Sequence, residues 1–228
     1  MKYIKDFSIF ESKEEKLTKS QEMIVAFKEK FGTELDKKFE VNQIKLIQKA
    51  FDMFDLKSIK NKIDKILLKD LKAVHGVWTG GTEAIMILNP SIFKFKKKFK
   101  NGSKDIPYNL FIIVHEIGHC IDHFERISYS KEWQAISGWK KLNTKSNVPE
   151  EMSRYVEKRP GRVKAGSNNS DWIYKEDANF CRRYTSRNPR EEFADSFAFG
   201  VFGAWDRFTG EDGKKKMEII KKVLKKIG

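Results

Sequence analysis

Residues 108–124, YNLFIIVHEIGHCIDHF, hold the most informative pattern of the chain. The stretch is apolar on nearly all faces of a helix, so it predicts a buried helix. Within it, His115-Glu116-Ile117-Gly118-His119 fits the pattern H-E-x-x-H, which puts two imidazoles one turn apart on one face. Buried imidazoles are costly without a partner, and this spacing suits one Zn²⁺ ion. We therefore predict that His115 and His119 bind zinc and that Glu116 is the general base.

A catalytic zinc site needs a third protein ligand beside a water molecule, and His123 is the nearest candidate in sequence. It continues the stripe of His115 and His119, but ligands at i, i+4 and i+8 spread along about 12 Å of helix. One ion cannot readily contact all three. We therefore expect His123 to be a cation at the helix end or a second-shell group behind the ligands.

A carboxylate on a second helix is the stronger candidate for the third ligand. Asn188-Pro189 predicts a helix start, with asparagine as the N-cap and proline in the first turn. Glu191 follows in that first turn, where a glutamate also commonly caps a helix, so a structural role is its alternative. Three further side chains compete for the position of third ligand: Glu192, Glu176 and His123.

The chain resembles the gluzincin metallopeptidases of the anthrax lethal factor type, which include the Pro-Pro endopeptidases. The resemblance rests on HEIGHCIDHF at 115–124 and on Y-x6-E-x-F-A-D within YTSRNPREEFADSFAFG at 184–200. It implies Glu191 as the third zinc ligand, Tyr184 as a catalytic tyrosine that points into the site, and Asp195 as a second-shell carboxylate. It also implies a zinc-dependent endopeptidase that acts on a protein or peptide substrate.

The resemblance and the periodicities together predict an α+β fold of the zincin type, mostly helical with a small mixed sheet beside the H-E-x-x-H helix. Apolar residues recur at helical spacing in three N-terminal stretches: 20–31, 41–54 and 56–71. Two short strands follow, Ala73 to Trp78 and Glu83 to Leu88. In zincins a sheet edge pairs with the extended substrate, and Glu83 to Leu88 is our candidate for that edge.

Two parts are expected along the chain, a tail or targeting segment at 1–19 and one metallopeptidase domain at 20–228. The domain is expected to have four sections: a helical part at 20–70, the sheet and active-site helix at 71–138, a long loop at 139–183, and the third-ligand and C-terminal helices at 184–228.

The composition excludes several classes of protein and leaves the meaning of the charge open. Two cysteines cannot build a disulfide scaffold, and the longest apolar runs are far shorter than a membrane span. The 46 Lys and Arg outnumber the 32 Asp and Glu, which gives a net charge of +14. Positive charge clusters at 91–104, at 154–164 and in the C-terminal helix. Solvated faces explain such clusters by default; an acidic protein substrate or polyanion contact, including nucleic acid, is the functional alternative.

The N-terminal stretch MKYIKDFSIFESKEE has no apolar core of a secretory signal, so none is predicted. It resembles the short targeting peptides of internal head proteins in tailed phages, which implies packaging in a virion or action in a bacterial cytoplasm. Two alternative functions stay open. One is an inactive zincin fold that serves as a binding or structural protein, for example a polyanion-binding virion component. The other is a regulatory metallopeptidase that cuts a repressor, since the phage-immunity metallopeptidases have a similar HEIGH helix.

Overall fold

The computed structural model describes residues 17–72, 74–101, 104–141, 172–175 and 178–227. Several expectations fall outside these residues, among them most of the expected tail at 1–19, most of the long loop with its basic cluster at 154–164, and Glu176.

Three helices lie in the N-terminal part of the described chain, where the apolar periodicity predicts helices. Helix α1 (Lys19–Phe31) begins with a capping box between Thr18 and Gln21 and ends at Gly32, whose φ of 71° is left-handed. Strand β1 is Glu34–Leu35, helix α2 is Val41–Phe51 and helix α3 is Leu56–Ile59. The rings of Phe27, Phe31 and Phe51 pack with centroids 4.6 to 5.1 Å apart, which joins α1 to α2.

A four-stranded mixed sheet lies next to these helices. Its strands are β1, β2 (Lys65–Leu68), β4 (Ile85–Leu88) and β3 (Gly76–Thr79), in that spatial order. Strand β2 runs parallel to β1 and β4, while β3 pairs antiparallel to β4 with Trp78 opposite Met86. Among the described residues, strand β3 is therefore an open edge of the sheet.

Two details of the expected layout are wrong. The helix predicted for 56–71 ends at Ile59, and the chain then forms β2, so the section at 20–70 already contains part of the sheet. Buried Ile59, Ile63 and Ile66 fit a helical period, but pairing with β1 and β4 decides the local structure. The strand predicted within Glu83 to Leu88 is an inner strand, so β3 replaces it as the edge beside the cleft.

Helix α4 (Tyr108–Glu125) is the central element and confirms the predicted buried helix. A two-stranded hairpin of β5 (Lys98–Asn101) and β6 (Lys104–Pro107) leads into it. Its faces contact α2, β3 and a later helix, α6 (Pro189–Val201). At Gly118 a Cβ would lie 3.1 Å from the Cα of Ala194, so this glycine lets α4 and α6 approach closely.

The remaining elements surround α6. Between α4 and α6 lie helix α5 (Lys131–Ser137) and a short pair of strands, β7 (Lys140–Lys141) and β8 (Trp172–Ile173). Helix α7 (Gly210–Ile227) packs against α5 and α6. The architecture is α+β, mostly helical with a small mixed sheet. No helix in the described ranges is long and apolar enough to cross a membrane.

Candidate metal centre

Helices α4 and α6 bring together the three side chains that the sequence singles out as ligands. One potential ligand atom from each of His115, His119 and Glu191 lies within 4.8 Å of the other two. Oε2 of Glu191 is 3.3 Å from Nε2 of His115 and 3.6 Å from Nε2 of His119. The side chains of both histidines are 8% exposed, and that of Glu191 is 20% exposed. This is a compact set of two nitrogens and one oxygen at the floor of a cleft.

The hydrogen bonding of this group indicates a missing partner. Oε2 of Glu191 and Oε2 of Glu116 are buried and have no hydrogen-bond partner in the described part of the chain. Buried polar atoms are seldom left unpaired, because they lose water without replacement. Two imidazole nitrogens and one carboxylate oxygen form the donor set that zinc prefers in a catalytic site, which leaves a fourth position open. The residues therefore fit a zinc ion.

A carboxylate behind the group fixes the orientation of one ligand ring. Nδ1 of His115 donates to Oδ1 of fully buried Asp195 over 2.7 Å, which leaves Nε2 facing Glu191. Arg182 donates two hydrogen bonds to Asp195, one from Nε to Oδ2 and one of 2.8 Å from Nη2 to Oδ1. The sequence analysis missed Arg182, because it lies in an irregular segment without a local signal for its partner.

The charges of the group favour a cation at its centre. Burial opposes protonation of His115, but Asp195 and Glu191 outweigh it and raise the pKa of His115 to about 10. Burial would also raise the pKa of Glu191, yet the two histidines bring it well below its ordinary value. Without a metal, the two carboxylates therefore stabilise a proton on His115, and a bound cation would take over that role.

Glu116 projects from α4 toward strand β3. Burial raises the pKa of Glu116, and the neighbouring histidines oppose that rise only in part. The backbone of β3 comes very close to this carboxylate: a Cβ on Gly76 would lie 2.5 Å from its Oε1. The glycine thus makes room for the side chain that the sequence predicts as general base.

Tyr184 lies in a 3₁₀ turn (Arg183–Arg187) just before α6. Its ring centroid is 6.2 Å from that of His115, and the guanidinium groups of Arg182 and Arg187 lie 4.7 and 4.2 Å from it. Burial raises the pKa of Tyr184 well above its usual value, so its hydroxyl stays protonated at neutral pH. Tyr184 and Glu116 line the same cleft, of about 190 Å³.

Glu192, an alternative ligand, faces away from the cleft. Its carboxylate accepts hydrogen bonds of 2.6 Å from Ser137 and Trp139 and forms an ion pair of 2.6 Å with Lys216. Glu192 is therefore part of a separate buried cluster. A signal for it was present in the sequence, since Lys216 falls in the apolar stripe of α7 where a cation needs a buried partner.

His123 lies apart from the ligand group. It is exposed one turn beyond His119, and its ring centroid is 6.2 Å from Trp78 and 5.2 Å from Phe124. It lines a second cavity, and no hydrogen bond or ring contact joins it to His115, His119 or Glu191 among the described residues. Its role at the helix end or behind the ligands stays a prediction.

Comparison with known proteins adds little to this picture. No protein-family model and no curated protein matches the chain. One similar solved structure is a crystal structure from Bacteroides caccae described as "a putative zinc-binding metallo-peptidase". It is 13% identical, covers 92% of this chain and 86% of its own, and has a TM-score of 0.46. That likeness is loose, so the interpretation of the metal centre rests on the side chains.

Proposed function

We propose that the protein is a zinc-dependent endopeptidase, a gluzincin of the lethal factor type in which His115, His119 and Glu191 hold the ion. One observation carries the proposal. The ligand atoms of two helices converge beside a buried, unpaired carboxylate, Glu116, in a cleft bordered by an open sheet edge. A general base next to a three-ligand zinc site is the arrangement needed for peptide hydrolysis by water.

Glu116 has the central role in moving protons. When bound, zinc supplies a Lewis acid that activates water and polarises the scissile carbonyl. Glu116 accepts a proton from the attacking water and delivers it to the leaving amine. Burial suits this task, because the raised pKa of Glu116 brings the carboxylate closer to the pH at which it must both take up and release a proton.

Tyr184 complements the negative charge that develops on the substrate oxygen. Its hydroxyl remains a donor at neutral pH, and its ring lies beside His115. A positioned donor of this kind stabilises an oxyanion more than the ground-state carbonyl. The guanidinium groups of Arg182 and Arg187 contact the ring, which helps to orient the tyrosine before substrate binds.

Strand β3 offers the surface on which an extended peptide could lie. It is the outer strand of the sheet, and Gly76, Val77 and Trp78 line the cleft. An open edge of this kind binds an added strand through main-chain hydrogen bonds. The substrate would thus be held by its backbone, with its scissile bond near Glu116.

A cleavage assay tests this proposal. The full chain is incubated with a complex peptide mixture, and new termini are identified by mass spectrometry. We expect cleavage that a chelator abolishes and zinc restores, and that Glu116→Gln lowers by about 10²- to 10⁴-fold. Cuts between prolines would support the Pro-Pro branch of the resemblance. Cleavage that a chelator does not affect would reject a zinc-dependent mechanism. No cleavage with zinc bound would reject the enzyme and favour a zincin-fold binding protein.

A further inference from the structure

A second cavity adjoins the metal-centre cleft along the sheet edge. Its volume is about 360 Å³, and it lies between the end of α4, the end of β3 and the start of α6. Trp78 and Arg190 line both this cavity and the cleft, so the two are neighbours. Nothing in the proposed hydrolytic step uses it.

The cavity is rich in donors and cations. Arg126, Arg190 and His123 line it, and within the described ranges neither arginine forms an ion pair. Asp122 is the acidic residue in its lining, and its two oxygens accept hydrogen bonds from the backbone N–H and the hydroxyl of Ser128, at 2.7 and 2.5 Å. The lining therefore carries two arginines against one carboxylate, which is already hydrogen-bonded to Ser128.

The lining also contains a donor that lacks an acceptor. The indole N–H of Trp78 is buried and has no hydrogen-bond partner among the described residues. An indole nitrogen only donates, so its missing partner is an acceptor. Arg126 has a φ of 58°, a left-handed conformation that favours glycine, and its guanidinium lies 4.9 Å from the ring centroid of Tyr129. The ring of Tyr129 thus helps to position the Arg126 guanidinium at the cavity.

We infer that this cavity binds the carboxylate of a glutamate or aspartate side chain of the peptide substrate. As a statement about substrate selection, this inference rests on the proposed function. Gly76 lies against Glu116 and Gly80 lies against His123, and four residues of extended chain between them span about 13 Å. The acidic residue would therefore stand about three or four positions from the scissile bond.

Matched peptides test this specificity. Starting from a peptide that the zinc-loaded full chain cleaves, glutamate is compared with glutamine at each of four positions on both sides of the scissile bond. We expect glutamate to raise kcat/KM by about tenfold or more at one distal position, as one charge-assisted contact would. Arg126→Gln should bring the ratio close to one. Lys131→Gln removes the same charge from the start of α5, outside both cavities, and should leave the ratio unchanged.

A binding measurement separates this inference from the proposed function. Fluorescence anisotropy gives the affinity of Glu116→Gln, as the full chain, for labelled glutamate and glutamine peptides. Tighter binding of the glutamate peptide, lost with Arg126→Gln, supports the cavity even if the wild type cleaves nothing. If the peptides are cleaved but the glutamate-to-glutamine ratio of kcat/KM is near one at every position, the carboxylate site is overturned and the endopeptidase proposal stands. A preference that survives Arg126→Gln, or falls equally with Lys131→Gln, overturns it too. Tighter binding of a phosphoserine peptide than of the glutamate peptide would overturn the carboxylate as the ligand of the cavity and indicate a phosphate.

Discussion

Glu191 and Glu192 are neighbours in the first turn of α6, yet they stand in opposite environments. The carboxylate of Glu192 accepts hydrogen bonds from Ser137 and Trp139 and pairs with Lys216. Oε2 of Glu191 faces two histidines and has no hydrogen-bond partner among the described residues. Successive helical residues point about 100° apart, so one turn of α6 serves two clusters.

The difference between the two clusters separates a structural role from a functional one. A buried polar network with every partner in place holds elements together, as the Glu192 cluster does for α5, α6 and α7. A buried group with an unpaired oxygen is stable only because the surrounding fold holds it there, and it gains a partner when a ligand binds. On this view, Glu192 stabilises the fold and Glu191 serves the metal.

The largest expected effect is on stability, and it should differ sharply between the two glutamates. Glu192→Ala leaves Lys216 buried without its counter-charge, so the free energy of unfolding should fall by about 3–5 kcal/mol. Glu191→Ala in metal-free protein should cost less, because protonated His115 keeps the counter-charge of Asp195. Denaturant unfolding with chelator present measures both variants. Equal losses would refute the division of roles.

The next effect concerns the room that β3 leaves for Glu116. Gly76→Ala would place a Cβ 2.5 Å from Oε1 of Glu116 and push the carboxylate aside. We expect peptide cleavage to fall by about 100-fold, as for other misplaced catalytic groups, with zinc retained. Gly81→Ala is the matched control, since its Cβ would meet nothing within 4 Å. A similar loss in both variants would show a general effect on the hairpin.

Zinc affinity should depend on the carboxylate that orients His115. Asp195→Asn weakens the hydrogen bond to Nδ1, and zinc affinity should fall by about 10- to 100-fold. Competition with a chromophoric chelator gives the dissociation constants. Asp122→Asn is the matched control on α4: it changes another buried carboxylate, which hydrogen-bonds Ser128, and should leave zinc affinity within about threefold. Unchanged affinity in Asp195→Asn would exclude a supporting role.

A further expected effect is a pH dependence of the stability of the metal-free protein. The pKa of His115 is raised from 6.5 to about 10, so the folded state holds a proton that the unfolded state releases. Its contribution to stability is complete below pH 6.5 and is lost as the pH rises to about 10. The slope is at most about 1.4 kcal/mol per pH unit. Unfolding between pH 7 and 9 should show this decline with chelator and lose it with zinc bound. A flat metal-free profile would contradict the assigned environment.

The arrangement of the candidate metal ligands could be predicted further from the sequence than the sheet could. The spacing of His115 and His119 fixes two side chains on one helix face, and Asn188-Pro189 fixes the start of α6. These are local signals, and the structure contains both helices. Strand β2 could not be found this way, because its partners β1 and β4 lie about 20 to 30 residues away in the chain. The order of the strands also depends on contacts between residues far apart in sequence, so Glu83 to Leu88 was wrongly predicted as the edge of the sheet.

The partners of the two clusters show the same limit. Nothing near Arg182 indicates that it binds Asp195, because that contact exists only once the irregular segment folds back onto α6. Lys216 could have been recognised as buried from the apolar stripe of α7, although its partner could not. Spacing within one helix is encoded locally, whereas contacts between elements depend on the whole fold.

Metal content is the most direct test of the central claim. Elemental analysis of protein purified without chelator is performed on the wild type, Glu191→Ala and Glu192→Gln, with circular dichroism to verify folding. The account predicts about one zinc per wild-type chain, loss or strong weakening in Glu191→Ala, and retention in Glu192→Gln. Zinc retained in Glu191→Ala, or no zinc in the wild type after supplementation, would contradict it.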